Sequence, residues 1–169
     1  MHEYTLTICD SRSDLEARLS EKSPNLMVEL TSADARVWGY LTLDKMTIIL
    51  GYADLGIAPQ FMDAEHLLLV GINELLTCID VERSEISFQY RLPTIFHEFL
   101  HVDKSGILVR DEIGFVLVSL QGEKLWEFLA GDIIEQFSLN ARSVSGRTLG
   151  GQLFDVQFPL PLTTRDAPP

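Results

Sequence analysis

Basic residues are scarce in this 169-residue chain: 13 Lys and Arg stand against 25 Asp and Glu, a net charge of -12 and a pI near 4.6. Proteins that hold nucleic acid neutralise phosphates with clustered Lys and Arg, so this balance argues against that class. Cysteine is scarcer still. Cys9 and Cys78 are the only two, which is too few for a disulfide framework or a CxxC site. Each lies in an apolar run (Leu6-Thr7-Ile8-Cys9 and Leu75-Leu76-Thr77-Cys78-Ile79) and reads as a buried free thiol of a reducing compartment. Long apolar runs are missing too: Leu67-Leu68-Leu69-Val70 falls far short of the ~20 residues a membrane helix needs. The start, Met1-His2-Glu3-Tyr4-Thr5, has neither the basic nor the apolar region of a secretory signal. These absences predict a soluble, cytoplasmic protein with no membrane and no nucleic-acid partner. The sequence also lacks G-x-G-x-x-G, G-x-x-x-x-G-K-[ST] and a usable G-x-S-x-G, which leaves dinucleotide, P-loop and α/β-hydrolase chemistry without support.

What is present is an apolar fraction of 46%, enough for a sizeable core in a chain of one-domain length. Tyr4 to Cys9 reads as a strand. A short helix follows near residues 12–22: Ser13 with Glu16 fits a capping box, Leu15 and Leu19 share a face, and Pro24 ends it. Leu26 to Leu30, Ala35 to Leu43 and Met46 to Tyr52 are β-like, broken at Ser32-Ala33-Asp34 and Asp44-Lys45. Gly56 to Pro59 marks a loop. His66 to Ile72 and Leu75 to Val81 flank Asn73-Glu74 as a hairpin. Ile86, Phe88 and Tyr90 alternate with polar residues as a half-buried strand does.

After Gly106 the punctuation becomes regular. Segments Ile107 to Arg110, Phe115 to Leu120, Lys124 to Phe128, Ile133 to Leu139, Arg147 to Leu149 and Leu153 to Phe158 are parted by turn signals, as in an antiparallel meander. Leu125, Leu129, Ile133 and Phe137 also repeat every four residues, as a helix would. Gly131 would cost that helix about 1 kcal/mol, and the strand reading is preferred. The run from Ile113 to Phe137, with Trp126 after a Gly turn, resembles one blade of the quinoprotein-type β-propellers. A single copy cannot close a propeller, so the resemblance implies strand-turn-strand geometry and says nothing for a quinone cofactor. Trp38 and Trp126 are both expected in the core. The chain is thus expected to be mainly β, with α+β as the alternative. It reads as one globular domain over residues 1–158, with meander or sandwich-like sheets, a helix near 12–22, room for a second over 94–104, and a Pro-rich tail at 159–169.

Residues His97-Glu98-Phe99-Leu100-His101 spell H-E-x-x-H. On a helix the two histidines share a face and can grip one zinc, with the Glu as general base on a metal-bound water. Four residues along a strand span roughly 13 Å, too far for one ion, so the motif depends on local conformation. Ile95, Phe96, Phe99, Leu100 and Val102 do fall on one helical arc. The same arithmetic sets both histidines on the polar arc beside Lys104. The segment resembles the active-site helix of the zincin metallopeptidases. That resemblance implies His97 and His101 as zinc ligands, Glu98 as catalytic base, and Glu123 or Glu127 as a gluzincin-like third ligand. The metzincin continuation is absent after His101.

Two readings of function follow. The preferred one is an acidic protein-binding module without a cofactor, in the form of an immunity-type inhibitor of a basic bacterial toxin or a subunit of a larger complex. In size and composition the chain resembles the bacterial immunity proteins. Turn and strand-end carboxylates Asp111, Glu112, Asp132 and Glu135 are expected to face a basic protein partner, around an apolar anchor. The alternative is a zinc metallopeptidase using His97, Glu98 and His101.

Overall fold

The computed structural model describes residues 4–22, 27–32, 34–43 and 46–159. The expected β-rich character is observed. Among the described residues, fifteen strands and one helix form four sheets, dominated by antiparallel pairing. The chain divides into two compact units, residues 1–73 with 77–87 and residues 74–76 with 88–169.

The first unit opens with β1 (Thr5–Cys9), α1 (Arg12–Lys22), β2 (Met27–Thr31), β3 (Val37–Leu43) and β4 (Met46–Tyr52). Their sheet runs β1-β3-β4-β2, and β2 lies parallel to β4. The helix therefore crosses one face of the sheet between its two edge strands. It packs on β3 and β1, burying Leu15 and Leu19 with Cys9 and Tyr40. The opposite face carries Val28, Leu30, Leu41, Ile48 and Leu50, all buried. Strand geometry turns alternate residues of β2, β3 and β4 to this face. Gly51 is a packing requirement: a Cβ there would stand 2.7 Å from the Trp38 ring and 2.9 Å from Thr31 Cγ2.

The helix spans the expected residues, but its cap is not the expected Ser13. Asp14 N donates to Ser11 Oγ at 3.1 Å, so Ser11 is the N-cap and Ser13 lies inside the first turn. The Asp14 carboxylate closes the cap by accepting from Asp10 N at 3.2 Å. The expected stop at Pro24, the break at Asp44-Lys45 and the terminal His2 lie outside the described residues, as does the tail from residue 160.

A second sheet, β5-β6-β7-β8, joins β5 (Gln60–Ala64), β6 (Leu67–Ile72), β7 (Leu75–Asp80) and β8 (Glu85–Arg91). Asn73 takes a positive φ of 48° in the expected turn between β6 and β7. β5 was not anticipated, because Phe61 and Met62 are adjacent and break the alternation.

The second unit contains β9 (Phe96–Asp103), β10 (Gly106–Asp111), β11 (Gly114–Val118) and β12 (Lys124–Leu129), ordered β12-β11-β10-β9. β13 (Ile134–Leu139), β14 (Ser143–Thr148) and β15 (Leu153–Gln157) form a further three-stranded sheet. Every residue of β11 is buried. Phe115 stacks edge-on with Phe137, ring centroids 5.4 Å apart, and lies 6.0 Å from Phe154. Trp126 is partly buried, packs against this core and meets Phe158 at 5.1 Å. Residues 124–129 and 134–139 are strands, as preferred, and Gly131 turns between them at a φ of 78°. The helix entertained over 94–104 is corrected: the segment is β9.

Candidate functional site

The H-E-x-x-H segment pairs with β10, and the ladder slips twice. Leu108 faces His101 and Val109 faces Phe99, so Leu100 is an extra residue. Arg110 faces Glu98 and Asp111 faces Phe96, so His97 is another. These are β-bulges. The second one lets neighbouring residues 97 and 98 reach the same side chain. Arg110 Nε donates to Glu98 Oε1 at 2.7 Å, and Arg110 Nη2 to His97 Nδ1 at 3.1 Å. A guanidinium cannot accept, so Nδ1 is the accepting nitrogen and the neutral ring carries its proton on Nε2. The guanidinium also lies over the Phe137 ring, 5.5 Å from its centroid. Burial, then the Arg110 charge, holds the His97 pKa below the ordinary histidine value.

His101 has a different neighbour. Its Nε2 stands 3.0 Å from Asp103 Oδ2, an ion-pair distance, without making a hydrogen bond. Asp103 itself accepts from Ser105 N at 2.7 Å and from the Ser105 hydroxyl in the β9–β10 turn. The zincin expectation is therefore corrected. On a strand His97 and His101 do not converge, and the Glu98 carboxylate is bound by Arg110. Glu123 and Glu127, the third-ligand candidates, flank and lie in strand β12 rather than a helix. No group of three or more His, Cys, Asp or Glu able to hold a metal occurs among the described residues. The chain's own residues do not fit a zinc site here.

The carboxylates assigned to a partner surface fare unequally. Asp111 is fully buried, which corrects its outward assignment. It accepts from Thr94 N at 3.2 Å and Ile113 N at 3.1 Å and pins a turn. Asp132 accepts from Ile133 N at 2.8 Å and Gly150 N at 2.7 Å, and these bonds, led by Gly150, hold its pKa below the usual carboxylate value. Glu135 is exposed and pairs with Arg147 at 2.9 Å. Glu112 is half-buried, and its backbone bonds Ile95 and Ile134.

Exposed acid without a cation is more abundant in the first unit, although Glu123 and Asp155 of the second are also exposed and unpaired among the described residues. Glu29, Asp34, Asp54 and Glu65 are exposed and take part in no ion pair among the described residues. That unit's sequence holds 14 acidic and 6 basic residues, a net of -8; the second holds 11 and 7, a net of -4.

The same unit carries a trough of about 480 Å³ beside α1, on the helix-bearing face of the sheet. Because α1 packs on β3 and β1, the face over β4 and β2 is left open. Leu15 and Leu19 form one wall, and Trp38, Ile49 and Met27 the floor and far side. Met27 is 55% exposed. At the rim, Arg12 lies over the Trp38 ring at 5.2 Å and bonds Glu16 at 2.9 Å. Glu29 stands at the β2 rim and accepts from the Thr31 hydroxyl at 3.4 Å. Sequence reasoning placed Trp38 in the core and missed the trough. The signal was the alternation in β2, where Met27, Glu29 and Thr31 share one face and Val28 and Leu30 the other.

Cys9 and Cys78 are free and buried, as expected. Burial pushes the Cys78 thiol up to about 11. No described helix is long and apolar enough to cross a membrane. Set against known proteins, the chain matches no family model, and no curated protein matches its sequence.

Proposed function

We propose that this chain is an acidic protein-binding module whose partner is a basic protein. The observation that carries the reading is the concentration of exposed, cation-free carboxylates in the first unit, at Glu29, Asp34, Asp54 and Glu65. Such a surface raises the rate of encounter with a positive partner and repels nucleic acid. An immunity-type inhibitor of a basic toxin is one form of the function; an acidic subunit of a larger complex is the other. The cellular setting proposed is the cytoplasm, in keeping with two buried unpaired thiols. In the second unit, Glu112 and Glu135 remain as rim positions, while Asp111 has no part.

The test is capture with the immobilised chain at low ionic strength, followed by kinetics with the purified partner. The expected partner is basic, and its association rate falls steeply between roughly 0.05 and 0.5 M salt while dissociation changes little. A partner whose binding ignores salt over that range would refute the reading and leave the acidity to solubility alone.

A further inference from the structure

We infer that the trough between α1 and β2 is the apolar anchor site for that partner, and that its occupant is a cationic amphipathic segment. The inference rests on the protein-binding reading and gives it a location. Interfaces steered by charge are still held by a few apolar side chains in a desolvated pocket, and rim charges alone do not hold a complex. Other exposed apolar groups lie along strands and turns, as Tyr4, Leu6 and Ile8 do at β1, and Leu153 borders a groove with Phe137 and Phe154 in the second unit. In the trough, five apolar side chains from one helix and three strands surround a single space of about 480 Å³. That volume lies inside the range of about 300–1,000 Å³ typical of pockets that bury a ligand.

The rim selects the charge of the occupant. Arg12, the basic residue at the trough, is neutralised by Glu16 and lies flat on Trp38. Glu29 has no cation among the described residues, and the unit around it is at -8. A segment that sets Leu- or Phe-like side chains into the trough and a Lys or Arg beside Glu29 satisfies both features. An acidic segment would meet an unpaired carboxylate. A helix with apolar residues three and four apart presents this pattern on one face.

The probes are two synthetic peptides of about 18 residues with equal positive charge, one built from Leu and Lys with helical periodicity and one from Ser and Lys. They are titrated against the full chain at low salt while the Met27 methyl, the Trp38 indole N–H and the Leu153 methyls are followed by NMR. The Leu/Lys peptide is expected to bind about tenfold tighter than the Ser/Lys peptide and to shift Met27 and Trp38. Met27→Ser should remove most of that advantage, since the side chain is half exposed and its loss is tolerated by the fold. Leu153→Ser, which removes the most exposed leucine of the second unit, should leave it intact.

Equal, salt-dependent binding of both peptides would overturn the trough and keep the acidic-surface reading. Preferential binding that shifts Leu153 and is lost in Leu153→Ser would move the anchor to the second unit, again overturning the trough alone. Binding of neither peptide would overturn both.

Discussion

In the second unit the carboxyl of Asp111 lies fully buried with two amide N–H groups on its oxygens, whereas in the first unit Glu29 and Asp54 stand exposed without an ion pair among the described residues. The contrast comes from how each unit is built. The strands of the second unit are joined by short connections, and Asp103, Asp111 and Asp132 accept from amides in those turns. The first unit joins two edge strands by a helix, and its acids are less needed by the backbone. Formal charge is thus a poor guide to surface charge. A carboxylate serving a turn adds to the net charge and offers little to a partner.

The largest expected effect probes the closed core of the second unit against the open face of the first. Phe115→Ala should lower unfolding free energy by ~3–5 kcal/mol, because a buried ring touching Phe137 and Phe154 leaves a cavity. Met27→Ala, on the trough, should cost no more than about 1 kcal/mol by the same urea titration. Comparable losses would show that the trough is part of a closed core.

Next is the comparison of carboxylates. Asp111→Ala strands two amides and should cost ~2–4 kcal/mol, while Asp54→Ala should stay within ~0.5 kcal/mol. Thermal unfolding of the two variants decides it; a silent Asp111→Ala would dissolve the distinction between the units.

A smaller effect tests the helix start. Ser11→Ala should cost about 1 kcal/mol and Ser13→Ala only a few tenths, since Ser11 Oγ takes the Asp14 amide. The reverse ranking in denaturant midpoints would restore Ser13 as the cap.

The smallest concerns His97. The folded chain holds its pKa below the unfolded value of about 6.5, so the unfolded state binds more protons between the two. The contribution from His97 is therefore complete above that value and is lost as pH falls through it toward the folded pKa. Urea midpoints measured from pH 8 to 5 should fall more for the wild type than for His97→Gln. Parallel profiles would mean that the Arg110 contact does not depend on a neutral ring.

Much of the fold was legible. Ile86, Phe88 and Tyr90 alternate because a strand turns its side chains over at every residue, and β8 follows. Gly131 marked a turn because a positive φ is cheap for it. Residues 94–104 misled for an equally physical reason. Each bulge inserts a residue into β9 and stretches the period-2 pattern toward a spacing of three, as between Phe96 and Phe99, so a bulged strand imitates a helical arc. β14 was caught only at its end, since Val144 is its one large apolar residue and Gly146 sits at its centre against Phe154.

By itself, then, the sequence determined the positions of most strands, the one helix, the turns and the acid surplus. Each of these depends on backbone preferences and side-chain periods acting over a few neighbours. The tertiary structure alone decided which acids remain available and which apolar residues stay uncovered. Asp111 is buried because Thr94, 17 residues away, brings its amide to it. Met27 borders a trough because parallel pairing of β2 with β4 carries it beyond the reach of α1. Both outcomes depend on contacts between segments distant in the chain, and no local pattern encodes them.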